Sequence, residues 1–176
     1  MTSAATLPSL TIRRATADDA AACIEHARQV IDEFPDNLSF APGEFDYTLE
    51  QEQKFLGDAA NTDNALFLLA LIDGQIVGLL NYTGGKRQCN RHAVVLGVSV
   101  RKEWCDRGIG TALVRAAIDH ARASGVVKRI DLAVFTHNER AIHVYRKLGF
   151  IEEGHRRACA LKNGQYIDDL IMAMLL

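Results

Sequence analysis

The sequence is poor in several features that mark large protein classes. Its 176 residues include only 3 prolines and 4 cysteines, and aromatic residues make up 7%. The cysteines form no C-x-x-C pair, so the sequence predicts neither a zinc site nor a redox motif. The histidines are scattered as well, and we expect no metal. Four free thiols are typical of a protein in a reducing cytoplasm, and we expect that location.

Long hydrophobic runs and a strong charge of one sign are also missing. No apolar run has the length of about 20 residues that spans a bilayer. A net charge of −2 gives no reason to expect nucleic acid or a membrane as partner. The start lacks the pattern of a signal peptide, and residues 1–10 are predicted to be a loose tail. The length and the 48% of hydrophobic residues predict a single domain over residues 1–176.

Hydrophobic periodicity and turn signals predict strands that alternate with helices in the second half of the chain. The dipeptides Asp73-Gly74 and Asn163-Gly164 each join two apolar runs, as in β-hairpins. The predicted order is β-α-α-β-β-β-α-β-α-β-β, an α/β fold with a mixed sheet and helices on both faces. The predicted elements are strand 11–16, helices 18–34 (capped by Asp18) and 48–58, strands 65–72, 75–82 and 93–100, helix 108–124, strand 129–135, helix 139–148, and strands 156–162 and 166–175.

A polar turn between strand 93–100 and helix 108–124 carries the strongest chemical signal. Gly108 and Gly110 open the helix, and a residue without Cβ lets the backbone approach a ligand closely. The first amides of a helix lack internal acceptors, and the helix dipole adds about half a positive charge. The turn therefore predicts a phosphate or pyrophosphate site, although glycines that merely allow a turn would look the same. Its spacing is neither G-x-G-x-x-G nor a P-loop, which argues against a dehydrogenase or kinase.

A second motif lies at residues 132–150. Asn138 stands near the start of a predicted helix, where an N-cap is common. Tyr145 follows seven residues later, two helical turns along the same face, which is also the spacing of a half-buried core aromatic. The helix ends in Lys-Leu-Gly-Phe.

These two motifs resemble motifs A and B of the GNAT superfamily of N-acetyltransferases. The similarity extends from about Thr11 to the end, and it includes stretches that look like those of bacterial members acting on free amines. It implies a mostly antiparallel GNAT-like sheet, acetyl-CoA as co-substrate and direct attack of an amine on the thioester, and it leaves a homodimer open. It also implies roles for single residues: the pyrophosphate at Asp106, Arg107, Gly108, Ile109, Gly110 and Thr111, the pantetheine arm along Val98, Ser99, Val100 and Asn138, and Tyr145 as general acid to the departing thiolate.

The sequence departs from this family at two positions. Cys105 stands where the family has Gln or Arg, so the usual polar contact to the pyrophosphate is not expected there. Val95 replaces a glutamate that serves relatives as a base through water. The base is then a carboxylate from elsewhere, a water chain, or unnecessary for an acceptor of low pKa. Acidic candidates in the first half are Glu44, Asp46 and Glu50.

The acceptor is expected to meet the loop between the first two helices, because loops often carry specificity. Phe34 and Phe45 are its apolar candidates for a substrate-binding wall, and they would serve equally as anchors to the core. The leading hypothesis is an N-acetyltransferase that acts on a primary amine of a small molecule. The alternatives are a protein N-terminal acetyltransferase and a non-catalytic CoA-binding regulatory or interaction module.

Overall fold

The described residues fold into seven strands and four α-helices in the predicted order, with two short 3-10 helices added. A computed structural model describes residues 9–176. Most of the predicted tail lies outside these residues, and Leu10 already belongs to β1. The elements are β1 Leu10–Arg14, α1 Ala20–Glu33, α2 Leu49–Ala60, β2 Ala65–Ile72, β3 Gln75–Gly84, β4 Ala93–Val100, α3 Ile109–Ala123, β5 Arg129–Phe135, α4 Glu139–Leu148, β6 Ile151–Lys162 and β7 Gln165–Leu175.

All seven strands form one sheet in the order β1-β2-β3-β4-β5-β7-β6. Neighbouring strands are antiparallel except β4 and β5, which confirms the predicted mixed, mostly antiparallel sheet. Side chains of β2 alternate between two cores: Leu66 and Leu68 pack beneath α3, whereas Phe67 and Leu69 pack beneath α1 and α2. Helices therefore cover both faces, as predicted.

The parallel pairing of β4 with β5 is short. It joins only Ala93–Val95 to Arg129–Asp131, while β4 stays paired with β3 as far as Val100. Beyond Val95, the carboxyl-terminal parts of the two strands have separate partners. We call the opening between residues 96–100 of β4 and 132–135 of β5 the β4–β5 cleft.

Local turn chemistry explains several element boundaries. Both residues of each hairpin turn have positive φ, 50° and 79° at Asp73-Gly74 and 50° and 74° at Asn163-Gly164, as a type I′ turn requires. Thr48 caps α2 by accepting a hydrogen bond from the Gln51 amide at 3.2 Å. Among the described residues, no helix has the length and hydropathy of a membrane span.

The predicted start of β6 and the predicted cap of α1 are wrong, and β1, β3 and α2 each end two residues from the predicted position. β6 begins at Ile151, five residues before the predicted Arg156. It is an edge strand with almost every side chain exposed, so hydrogen bonds to β7 define it and no hydrophobic alternation marks it. Asp18 does not cap α1. It lies inside a 3-10 turn, and the carboxylate of Asp19 accepts the Thr16 amide at 2.8 Å.

Candidate active site

The turn before α3 presents free backbone amides to open space. Gly108 ends it with φ of 78°, a conformation that glycine adopts without strain. The first helical hydrogen bond runs from the Ala112 amide to the Gly108 carbonyl at 2.9 Å, so the preceding amides have no acceptor inside the helix. A Cβ on Gly110 would approach only Val100, at 3.7 Å. Free amides at a helix start, beside open space, have the general character of an anion site.

The side chains of the same turn divide into two groups. Ile109 is buried in the core, so only its amide faces the open space. The guanidinium of Arg107 lies 4.7 Å from the centre of the Trp104 ring. Asp106, with φ of 60°, pairs with Arg140 at 3.1 Å, and both side chains are exposed. Arg140 thus brings a positive charge to the turn, which sequence reasoning missed because 34 residues separate it from Asp106.

Cys105 turns its thiol toward the backbone. The Sγ atom lies 3.4 Å from the Arg101 carbonyl and 3.7 Å from the Val100 carbonyl, to which it donates. The thiol thus contacts the backbone at the end of β4. Cys105 therefore cannot make the ligand contact that a long polar side chain at this position would make.

Tyr145 is a buried phenol whose hydroxyl remains accessible. The side chain is 7% exposed, and its ring packs edge-on against Phe150 at 5.7 Å. Within residues 9–176, its hydroxyl has no hydrogen-bond partner, yet the only fully buried unpartnered polar side-chain atom there is Nδ1 of His26. Burial raises the pKa of Tyr145 to about 12. The phenol therefore keeps its proton at neutral pH.

Asn138 is the N-cap of α4, which is one of the two roles expected for it from the sequence. Its Oδ1 accepts the Ala141 amide at 3.2 Å. An asparagine side chain also has two N–H donors. These remain available for a ligand, so capping does not compete with the pantetheine contact that the resemblance implies.

The three predicted cofactor residues of β4 point to opposite faces. Val98 and Val100 pack against the core beneath α3. Ser99 faces α1, where its hydroxyl lies 3.0 Å from Nε2 of His26. His26 is 2% exposed, and burial lowers its pKa to about 4, so the imidazole is neutral. Sequence reasoning missed His26, although a histidine beside the apolar face of α1 was the available signal.

Further polar contacts fix α1 to the end of β4. Glu33 accepts hydrogen bonds from Nε of Arg101 at 2.8 Å and from the Lys102 amide at 2.7 Å. Gln29 accepts from the same arginine. The helix that leads into the acceptor loop is thereby tied to the strand that leads into the glycine turn.

Side chains from distant strands hold the loop between α1 and α2. Lys162 donates to the carbonyls of Pro35 at 2.8 Å and Phe40 at 3.3 Å. Asn163 donates to the Asp36 carboxylate at 3.0 Å, and His137 contacts the Asp36 carbonyl at 3.1 Å. The loop therefore extends from α1 to the β6–β7 turn and to the residues that follow β5.

The two predicted substrate-binding phenylalanines differ in their surroundings. Phe34 ends α1 and is half-buried. Phe45 packs edge-on against Phe40 at 5.4 Å and stacks on Tyr47 at 4.8 Å. Phe45 also lines a pocket of about 410 Å³ between α1 and the loop, together with Arg28, Ile31, Asp32, Gly43 and Asp46. Phe45 thus forms part of the wall of this pocket, and its role in substrate binding stays a prediction.

Val95 lies at the closed end of the β4–β5 cleft and is 60% exposed. Asp131 is its direct partner on β5 and projects to the same face, with its carboxylate 2.6 Å from Nη2 of Arg129.

The acids proposed from the sequence have different surroundings. Glu44 accepts the Ala41 amide at 2.7 Å, Glu50 is exposed in the first turn of α2, and Asp46 lines the pocket. In the described part of the chain, no three His, Cys, Asp or Glu side chains are placed to hold a metal.

Comparison with known proteins matches residues 25–150 to the Acetyltransferase (GNAT) family. L-amino acid N-acetyltransferase AaaT of Escherichia coli (strain K12) is 41% identical over 106 residues, 60% of this chain and 65% of that protein. The [Ribosomal protein uS5]-alanine N-acetyltransferase of the same organism is 29% identical over 57% of this chain and 51% of its own. The chain thus spans less than two thirds of these curated relatives. A GNAT-family acetyltransferase from Streptococcus pneumoniae superimposes with a TM-score of 0.93 and 35% identity, over 96% of this chain and 100% of that one.

Proposed function

This chain belongs to the GNAT family of acetyltransferases, and on that premise we propose that it transfers an acetyl group from acetyl-CoA to the primary amine of a small molecule. The observation that carries the proposal is the parting of β4 and β5. Helices α3 and α4 begin just after the carboxyl ends of these strands. Their first turns, with Gly108 and Asn138 as caps, therefore flank the opening, which is where ligands bind in open α/β sheets.

The free edge of β4 supplies the contacts for an extended ligand. Residues 96–100 lack a partner on the β5 side among the described residues. Their unpaired backbone groups can bind an extended chain as an added strand would. An amide on this edge would also polarise the thioester carbonyl. The amides before α3 would hold the pyrophosphate.

Tyr145 is the proposed general acid. When the amine nitrogen bonds to the acetyl carbon, the carbon–sulfur bond breaks and the sulfur takes a proton from the phenol. The acylated nitrogen releases one proton, and this proton restores the phenol. Its raised pKa, about 12, keeps the proton in place until then. Burial raises the pKa of a thiol as well, because the thiolate loses its hydration. Both groups therefore shift in the same direction, and the phenol remains a suitable donor.

The attacking amine must first lose its own proton. An alkyl amine with an ordinary pKa near 10 is neutral in about one molecule per thousand at pH 7, a deficit of about 4 kcal/mol. Asp131 lies at the closed end of the cleft, and Asp46 lines the pocket under the loop. These carboxylates are the proposed acceptors of that proton through water.

The test is acetyl transfer by purified protein over a panel of amines, measured as free CoA thiol and confirmed by mass spectrometry of the product. The panel contains amino acids, polyamines and peptides with free N-termini. Turnover of a small amine with low KM supports the proposal. Turnover of peptides alone indicates a protein N-terminal acetyltransferase. Acetyl-CoA binding without any turnover indicates a non-catalytic module and overturns the proposal.

A further inference from the structure

The two faces of β4 leave different amounts of room beside its free edge. Leu96 is buried in the core beneath α3, Val98 packs on that core, and the ring of Tyr145 belongs to it as well. Gly97 points to the opposite face, as Ala133 does across the β4–β5 cleft, because side chains alternate along a strand. Both residues are exposed. An attacking amine therefore has room to approach the edge of β4 from the Gly97 face.

Asn81 of β3 lies above Gly97 on this open face. The two residues are direct partners in the antiparallel β3–β4 pair, so they point the same way. A Cβ on Gly97 would lie 3.3 Å from Oδ1 of Asn81 and within 4 Å of no other atom beyond its chain neighbours. The missing Cβ therefore leaves a gap above β4, and the Asn81 oxygen borders that gap.

The hydrogen-bonding groups of Asn81 are not used inside the protein. The residue is half-buried, and its side chain has no hydrogen-bond partner within residues 9–176. Ser99, the next residue of β4 on this face, already contacts His26 at 3.0 Å. Asp131, at the closed end of the cleft, already pairs with Arg129. Asn81 is thus a free amide beside the open part of the cleft.

We infer that Oδ1 of Asn81 positions the attacking amine by accepting a hydrogen bond from its N–H. A nitrogen that attacks the acetyl carbon directs its lone pair at that carbon, so its N–H groups point away and need a partner. A carbonyl oxygen above Gly97 supplies that partner and holds the lone pair in line. An amide takes no proton at neutral pH, so Asn81 is a positioning residue. The inference rests on the proposed function, because it names a group that orients the amine of that reaction.

The positions of Asn81 and Tyr145 suit the two ends of this reaction. The phenol lies on the α3 face of β4 and the Asn81 amide on the other face, so an extended thioester on the free edge would lie between them. A thioester is planar, and a nucleophile attacks it from one side of that plane. The arriving nitrogen and the departing sulfur would then contact different side chains.

Two substitutions of similar size test the role of the Asn81 oxygen, with the amine from the panel of amino acids, polyamines and peptides that the wild-type protein acetylates best. Asn81→Leu removes the hydrogen bond, and kcat/KM for the amine should fall about tenfold. Asn81→Asp keeps an oxygen at the same place, so kcat/KM should stay within about twofold of wild type. Calorimetry should show unchanged acetyl-CoA affinity in both variants.

A control and a pH profile separate positioning from a structural role. Thr83→Val removes a polar group from the same strand and face, at an exposed residue opposite Val95, and should keep the wild-type kcat/KM. The pH dependence of kcat/KM should keep its shape in Asn81→Leu, because an amide does not titrate. Asn81→Ala, which adds no apolar surface, makes the same removal if the leucine variant does not fold.

The outcomes distinguish this inference from the proposed function. If Asn81→Leu or Asn81→Ala keeps the wild-type kcat/KM, the amine is not held at Asn81 and the inference is wrong, while acetyl transfer stands. If Asn81→Asp loses as much activity as Asn81→Leu, the oxygen is not the acting group, and the inference is again wrong. Weaker acetyl-CoA binding or a shifted pH profile in Asn81→Leu would also overturn it. If the wild-type protein acetylates no amine, the proposed function fails and the inference fails with it.

Discussion

The candidate site has two walls: the turn before α3, which we call the cofactor wall, and the α1–α2 loop, which we call the acceptor wall. The two are built in different ways. The turn before α3 owes its shape to its own backbone, with Gly108 at φ of 78° and the helix starting one residue later. The α1–α2 loop depends on Lys162, Asn163 and His137, which are about 100 residues or more away in sequence. A ligand whose chemical structure is always the same can be bound by a turn that neighbouring residues form. A loop held by separate side chains can change its pocket without disturbing that turn.

The contact between His26 on α1 and Ser99 on β4 joins the elements that lead into these two walls, and the titration of His26 has the largest expected effect. The unfolded chain binds a proton at His26 near pKa 6.5, whereas burial lowers the folded-state pKa to about 4. The unfolded state therefore gains protons first as pH falls, and the protein loses stability between pH 6.5 and 4. At pH 4.5 this loss is about 2 to 3 kcal/mol relative to pH 7.

Denaturant unfolding of wild type and His26→Gln at both pH values measures this contribution. The variant should lose about 2 to 3 kcal/mol less on acidification than the wild type. His143→Gln, at an exposed position on α4, is the matched control. Equal acid sensitivity of wild type and His26→Gln would show that His26 titrates normally in the folded protein.

Removing the Tyr145 hydroxyl tests the cleft between the walls. Tyr145→Phe keeps the ring that packs on Phe150, so folding and acetyl-CoA affinity should persist. Both kcat and kcat/KM should fall by roughly 10²-fold, the lower end for one general acid. Tyr166→Phe, at an exposed tyrosine, is the matched control. Wild-type kcat in Tyr145→Phe, with chemistry rate-limiting, would assign the phenol to packing alone.

Filling the space before α3 should affect only the cofactor wall. In Gly110→Val the added side chain enters open space where a pyrophosphate would approach, and calorimetry should show acetyl-CoA affinity falling at least about tenfold, roughly 1.4 kcal/mol. Gly57→Val makes the same change on α2, again into open space, and should keep the affinity. Gly108→Val is expected to weaken binding as well, but its φ of 78° adds backbone strain. An unchanged affinity in folded Gly110→Val would move the pyrophosphate elsewhere.

Releasing the loop should affect only the acceptor wall. Lys162→Met removes the donor to the Pro35 and Phe40 carbonyls. These exposed hydrogen bonds are worth about 0.5–1.5 kcal/mol, so KM for the acceptor should rise about three- to tenfold with the acetyl-CoA affinity unchanged. Lys86→Met, at an exposed lysine before β4, is the control. A rise in the acetyl-CoA dissociation constant instead would show that the two walls are not separable.

The sequence was most informative where structure is local. Hairpin dipeptides, the glycine at the start of α3 and hydrophobic periodicity predicted the order of the elements and the boundaries of β2, β4, β5 and α4. The N-cap at Asn138 was read from the same kind of signal. Prediction failed for β6, an edge strand defined by pairing, and missed His26 and Arg140, whose partners are close only after folding.

The sequence by itself determined the fold class and the glycine turn, because periodicity and positive φ act within a few residues. Only the tertiary structure decided what Tyr145, Ser99 and Phe45 face. It buried the phenol while leaving its hydroxyl accessible, set Ser99 against a neutral histidine, and placed Phe45 in a pocket with Arg28. The surroundings of these three side chains depend on the relative positions of α1, the α1–α2 loop and strands β4 and β5. Contacts between residues far apart in the chain set those positions, and no local sequence pattern encodes them.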